Sequence, residues 1–176
     1  MYNCFRGAKF SETNRDNMDA NTALVSNFYA AFQQLDHNRM NNCYSDDIVF
    51  SDPVFGLLKG DEVKKMWEML CNNAKDFSVE YGNIITDDNE YYTCNWTATY
   101  TFSKTGRKVI NKVKAFMLIK DGKIKEHSDA FSLHRWSAQA LGFSGWLLGW
   151  NRFYQQKIKN TARRSLLDFI ARTNNN

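Results

Sequence analysis

The period of the hydrophobic positions changes several times along the chain, and each change marks an element. Leu24, Phe28, Ala31, Phe32 and Leu35 recur at helical spacing behind the capping residues Asp19, Asn21 and Thr22. A first amphipathic helix is therefore expected over residues 20–34. A short second helix is expected after Asp36, through Met40 and Cys43 to Tyr44. Asp47 to Asp52 reads as a strand that stops at Pro53, which has no amide hydrogen to give a ladder. Gly60 and Asp61 open a third helix, whose stripe is Val63, Met66, Trp67, Leu70, Cys71 and Ala74. Such a stripe is read as core rather than as a cofactor contact.

From Phe77 the period becomes two. Phe77 to Ile85 is a strand, and Asp87-Asp88-Asn89-Glu90 is its turn. Tyr92, Cys94, Trp96, Ala98, Tyr100 and Phe102 then alternate with Tyr91, Thr93, Asn95, Thr97, Thr99 and Thr101. This is a long antiparallel strand with one apolar face and one threonine-rich face. Lys104-Thr105-Gly106-Arg107 turns the chain into a strand from Val109 to Lys120. Asp121-Gly122 is a strong hairpin signal before a last strand from Ile124 to Leu133. Helices followed by a run of antiparallel strands make the class α+β. A curved, cone-shaped antiparallel sheet closed by the N-terminal helices is expected, with a cavity at its mouth. Beyond Trp136 the period is helical again, with Trp150, Phe153, Tyr154, Ile158, Ala162, Leu166, Phe169 and Ile170 on one stripe.

Composition narrows the class. The chain has 176 residues, of which 43% are hydrophobic, enough for one domain with a core. Its single proline and lack of internal repeats leave no long linker. Cys4, Cys43, Cys71 and Cys94 have neither a paired nor a zinc-type spacing, so free thiols and a cytoplasmic setting are expected. No apolar run is long enough to span a membrane. Residues 1–18 lack the apolar stretch of a secretory signal and are expected to be a disordered leader, with Met18 an alternative start. The net charge of +4 is uneven. From Trp136 to Asn176 come six bases, Arg152, Lys157, Lys159, Arg163, Arg164 and Arg172, against Asp168 alone. The body is thus close to neutral, and a basic pI does not argue for nucleic acid as a partner.

Three ionisable residues are candidates for chemistry. Asp52 ends a strand beside Pro53. His127 and Asp129 are two apart on the last strand and so share a face, which Phe131 and Leu133 would continue. A carboxylate and an imidazole among apolar side chains are costly to bury unless paired, and such a setting suits proton transfer. Each also has a structural reading: Asp52 as a turn residue, and His127 with Asp129 as a hydrogen-bonded pair or as solvent-facing groups. Two ligands fall short of a metal site, so no metal or cofactor is expected.

The segment Val25 to Gly56, with Ala30-Ala31, Asp46-Asp47 and Asp52-Pro53-Val54 in register, resembles the N-terminal third of ketosteroid isomerase. That resemblance implies a general-base role for Asp52. It puts Phe28, which has no donor, at the position of the oxyanion-donating tyrosine, with Tyr29 adjacent. It puts Lys114 near the position of the protonated aspartate of the oxyanion hole. Asp121 to Asp129 is similar instead to the matching segment of SnoaL-type polyketide cyclases, followed by Gln139-Ala140-Leu141-Gly142. This implies Asp129 as the catalytic acid/base and His127 as its partner. Together these likenesses place residues 19–142 in the nuclear-transport-factor-2-like superfamily. They imply a cofactor-free isomerase or cyclase working by acid–base transfer on a small hydrophobic substrate, commonly as a homodimer. A non-catalytic module binding a small molecule or a protein is the alternative. Tyr29, Trp96 and Phe131, together with Phe28 and Lys114, are the expected ligand-binding residues. Residues 143–173 form a basic amphipathic extension. It could pack on the domain or on a partner copy, lie on anionic lipid with Trp146 and Trp150 at the interface, or contact nucleic acid. Packing against protein is expected ahead of the membrane, and nucleic acid is not expected.

Overall fold

The computed structural model describes residues 6–86 and 90–173. The expected turn residues 87–89 and the first five residues of the expected leader lie outside that range. The elements run α1 (Arg6–Gln33), α2 (His37–Cys43), β1 (Tyr44–Asp52), β2 (Gly56–Lys59), α3 (Asp61–Asn72), β3 (Ser78–Thr86), β4 (Tyr91–Phe102), β5 (Arg107–Lys120), β6 (Lys123–Ala130), α4 (Leu133–Leu141), α5 (Phe143–Leu148) and α6 (Arg152–Thr173).

The first helix starts at Arg6, well ahead of the expected start near residue 20. No proline or glycine interrupts residues 8–33, so nothing local stops the helix from extending through the segment expected to be a disordered leader. Its buried face, Val25, Phe28, Tyr29, Ala31 and Phe32, lies in the second half. In α3, Val63, Met66, Trp67 and Cys71 are buried as expected, but Met69 is buried and Leu70 exposed. Asp61 and Glu62 in its first turn complement the helix dipole.

The six strands form one sheet in the order β2-β1-β6-β5-β4-β3. Four of its five pairings are antiparallel, but β1 runs parallel to β6, so the sheet is mixed rather than wholly antiparallel. This pairing joins the β1–β2 hairpin to the strands β3 to β6 and brings Phe50 beside His127. The short β2, which the hydrophobic pattern does not reveal, buries only Leu58, too little alternation to read. Asp121 and Gly122 both take positive φ, as the tight hairpin at Lys120–Lys123 requires.

The last strand ends at Ala130, before the expected Leu133. The Ser132 hydroxyl accepts from the Arg135 amide and caps α4, so Leu133 is helical and Phe131 lies in the connection. Beyond the end of β6, the free side of β5 is served by Gln139. Its side chain accepts from the Ile110 amide at 2.8 Å and donates to the Ile110 carbonyl at 3.1 Å. The C-terminal extension does pack on the domain: α6 lies against α3, with Leu166 buried and Ile158, Ala162, Phe169 and Ile170 half-buried. Trp150 and Phe153, expected on that stripe, are instead exposed, because the stripe meets the domain only along the rest of α6.

Candidate active site

His127 and Asp129, two apart on β6, both turn inward, and the register shift between Leu118 and Ile119 on β5 lets Ile124, three residues before His127, be buried as well. The register sets His127 opposite Met117 and Asp129 opposite Ala115. Trp96 comes from β4, with β5 between it and Asp129. The two strands are therefore about 10 Å apart, and the small Ala115 side chain leaves the indole room to lean across. Its Nε1–H donates to Asp129 Oδ1 at 3.2 Å. His127 Nε2 lies 3.1 Å from the same oxygen.

The imidazole is held from its other side as well. Trp67 on α3 donates through Nε1–H to the Tyr44 hydroxyl at 3.0 Å, and that hydroxyl lies 2.7 Å from His127 Nδ1. One assignment of hydrogens satisfies every atom. The indole donates to Tyr44, Tyr44 donates to Nδ1, and Nε2–H donates to Asp129. Phe28, Phe50 and Trp67 pack on the imidazole at ring separations of 5.5, 5.2 and 6.3 Å. His127 is thus enclosed by rings, with both of its ring nitrogens engaged. Asp129 takes both its bonds on Oδ1, and among the described residues no donor reaches Oδ2.

Asp52 ends β1. Its Oδ1 accepts from the amides of Val54, at 2.9 Å, and Phe55, so it does serve the turn beside Pro53. Burial nevertheless pushes its pKa from the ordinary 3.8 up to about 6, and the negative charge of Asp129 adds to the rise, while the backbone donors oppose it. The Tyr29 phenol is fully buried, with no hydrogen-bond partner among the described residues. Burial and then the charge of Asp129 hold its pKa well above the usual tyrosine value. The ring stacks on Tyr81 at 5.3 Å and tilts against Trp96 at 6.1 Å.

Asp129, His127 and Trp96 thus come together, with Asp52 and Tyr29 within electrostatic reach of Asp129. Phe28 is fully buried against the His127 ring and contributes shape but no donor. Phe131 is half-buried against the core. Lys114 does not join the site. It alternates with the inward Val113 and Ala115, so it points out of the sheet, over the Phe116 ring. Tyr44 and Trp67 were not singled out for chemistry by the sequence. Trp67 sits in an ordinary core stripe and Tyr44 at a helix end, and only the fold brings them to His127. Among the described residues no cluster of three or more His, Cys, Asp or Glu could hold a metal.

The surface clefts among the described residues include two, the first of which reaches Tyr44, the partner of His127. One of about 630 Å³ is lined by residues including Asn41, Asp46, Asp47, Lys64, Lys123 and Lys125. The other, of about 310 Å³, lies between β5 and α4. In the first, Lys64 and Lys125 are already paired with Asp46 and Asp47, at 2.8 and 3.0 Å.

Comparison with solved structures returns the same architecture repeatedly. A protein assigned as a polyketide cyclase from Xanthomonas campestris pv. campestris superimposes with a TM-score of 0.60 at 18% identity, over 70% of this chain and 98% of its own. An M. tuberculosis epoxide hydrolase of the LEH-like type does so with a TM-score of 0.60 at 18% identity, over 74% and 94%. A protein with a ketosteroid isomerase-like fold from Catenulispora acidiphila, solved with trimethylamine, gives 0.59 at 14% identity, over 66% and 91%. At these identities the likeness is one of fold, and the activities of these relatives are diverse. No curated protein matches the chain in sequence. The SnoaL-like domain profile matches residues 25–127, most of the helix-and-sheet body that carries the Asp129 site, and the chain belongs to that family, with the nuclear-transport-factor-2-like fold.

Proposed function

We propose that the chain is a cofactor-free enzyme of the isomerase or cyclase type that moves protons on a small hydrophobic substrate. The observation that carries this reading is the binding of Asp129. His127 and Trp96 hold one of its oxygens, and the other has no donor among the described residues. Such a carboxylate is oriented yet retains a lone pair for a substrate proton. Asp52, with a pKa near 6, is the second proton-exchanging group. Burial, with the charge of Asp129 adding to it, makes Asp52 retain its proton more readily than an ordinary carboxyl, which suits it to act as an acid. His127, tied by Tyr44 and Trp67, positions Asp129 and does not itself touch substrate. Tyr29, with its unpartnered phenol, and Trp96 line the substrate side. The three described thiols are free, which fits a reducing, cytoplasmic setting. The outer face of β5, with Ile110 and Phe116 exposed, is where a second copy would pair in a homodimer.

The test is carbon–hydrogen exchange, which reads proton transfer without knowledge of the product. A panel of cyclic ketones and 1,3-dicarbonyl compounds is incubated with the protein in deuterium oxide and followed by proton NMR. Exchange that is catalysed by the native protein and lost in Asp129→Asn supports the reading. Exchange that persists in Asp129→Asn, or is absent across the panel, refutes it.

A binding module of the same fold is the second reading. It is favoured by the rings of Phe28, Phe50 and Trp67, which fill the space around His127, and by the outward course of Lys114. Calorimetric binding of a panel compound, equal in the native protein and Asp129→Asn and without exchange in either, would identify it.

A further inference from the structure

The corner between α5 and α6 has apolar side chains that the fold does not bury. Phe143, Trp146, Trp150 and Phe153 are 74, 58, 70 and 88% exposed, and Leu147 and Leu148 are also exposed. A loose terminal helix would show such exposure trivially, but α5 is docked. Its contact face is glycine: Gly142, Gly145 and Gly149 are buried, and a Cβ at Gly145 would overlap the Ser137 carbonyl of α4. Ser137 Oγ donates to the Gly145 carbonyl at 3.1 Å, and His134 Nε2 donates to the Trp146 carbonyl at 3.0 Å. With its small residues spent on this approach, α5 holds its large ones outward. Phe143 and Trp146 lie side by side at 5.9 Å.

Basic residues stand at both ends of α5. The Arg107 guanidinium lies 3.3 Å from the position a Cβ would take at Gly142, and Arg152 and Lys157 are exposed on the first turns of α6. Between Asp129 and Asp168 the chain has no acidic residue. Two copies meeting at this corner would bring their bases together, which disfavours self-association and favours an anionic partner. None of these residues lines either of the two clefts described above. An exposed set of Trp and Phe rimmed by Arg and Lys matches the headgroup region of an anionic bilayer, where indoles sit at the boundary and bases meet lipid phosphates. No described helix is long and apolar enough to cross a membrane.

We propose that the α5–α6 corner is a peripheral docking surface for an anionic lipid membrane, with Trp146, Trp150 and Phe153 entering the interface and Arg107, Arg152 and Lys157 contacting the headgroups. The buried stripe of α6 takes no part, since it is occupied by the domain.

The full chain is sedimented with vesicles of phosphatidylcholine alone and of phosphatidylcholine mixed with phosphatidylserine. Binding to the mixed vesicles only, falling as salt is raised, is expected. The variant Trp150→Ser/Phe153→Ser alters two mostly exposed side chains, so its thermal melt should match the native one. Its vesicle affinity should fall at least about tenfold. Arg152→Glu/Lys157→Glu should lose the preference for phosphatidylserine. Failure of the native chain to bind mixed vesicles overturns the proposal, as does unchanged binding by the serine variant. A dimer that the serine variant dissociates, without vesicle binding, would assign the corner to a second copy. Binding to polyglutamate but not to vesicles would assign it to an acidic protein.

Discussion

Replacing Asp52 with asparagine separates a site residue from a turn residue by the sign of its effect. Oδ1 of Asp52 accepts from the Val54 and Phe55 amides, and an asparagine oxygen can accept the same two bonds. What the substitution removes is the charge. The folded pKa of about 6 lies above the ordinary 3.8, so the folded state binds this proton more tightly than the unfolded chain does. By linkage, ionised Asp52 costs nothing below about pH 4, and its cost grows as pH rises through the interval to about 6, then stays constant. At about 1.4 kcal/mol per tenfold change in proton affinity, that interval is about 3 kcal/mol for a fully shielded carboxylate. Partial exposure of the residue to solvent brings the expectation to about 1–2 kcal/mol. Asp52→Asn should therefore be more stable than the native protein at pH 7–8 by about 1–2 kcal/mol, or a few degrees in Tm, and equal to it near pH 4. Urea denaturation across that pH range measures it. A variant that is less stable at pH 7–8, or a difference that does not change with pH, would refute the reasoning. It would make Asp52 a residue kept for its turn. A gain in stability, by contrast, is what removing a functional carboxylate produces.

Tyr44→Phe strips the hydroxyl between Trp67 and His127, leaving two buried nitrogens without a partner, and should cost about 1–3 kcal/mol in urea unfolding. If its proton-exchange rate also falls while Asp129 is intact, the positioning role of His127 is supported; unchanged exchange would count against it. Gly145→Ala forces α5 away from the Ser137 carbonyl and should destabilise the α4–α5 contact by about 1–3 kcal/mol, with amide exchange accelerating in residues 137–149. Leu166→Ala should cost about 2–4 kcal/mol, because Leu166 is the one residue of α6 that is fully buried; a loss confined to α6 in amide exchange would show the helix undocking by itself.

Some of this protein is local and some is not. The strand from Tyr91 to Phe102, the Asp121-Gly122 turn and most of the α3 stripe follow from periodicity and turn chemistry within a few residues of each position, and the structure has them where expected except that Met69 is buried in place of Leu70. Even the shared face of His127 and Asp129 is a two-residue period on one strand. The missed start of α1 is also local in nature. Residues 6–19 have no apolar stripe to mark them, only the absence of a helix breaker. The early end of β6 is a competition between a strand pattern and the Ser132 cap, and the cap wins because it satisfies the amide at the start of α4.

The chain's own pattern determined the α+β class, the order of most elements and the inward pair on the last strand, because each depends on interactions between near neighbours. Only the tertiary structure decided the parallel β1–β6 pairing, the Trp67–Tyr44–His127–Asp129–Trp96 chain and the outward course of Lys114. It likewise decided which aromatic residues of the extension are buried and which are left on its surface. These rest on contacts between residues tens of positions apart, where a side chain's partners depend on how whole elements pack and not on the residues beside it in the sequence.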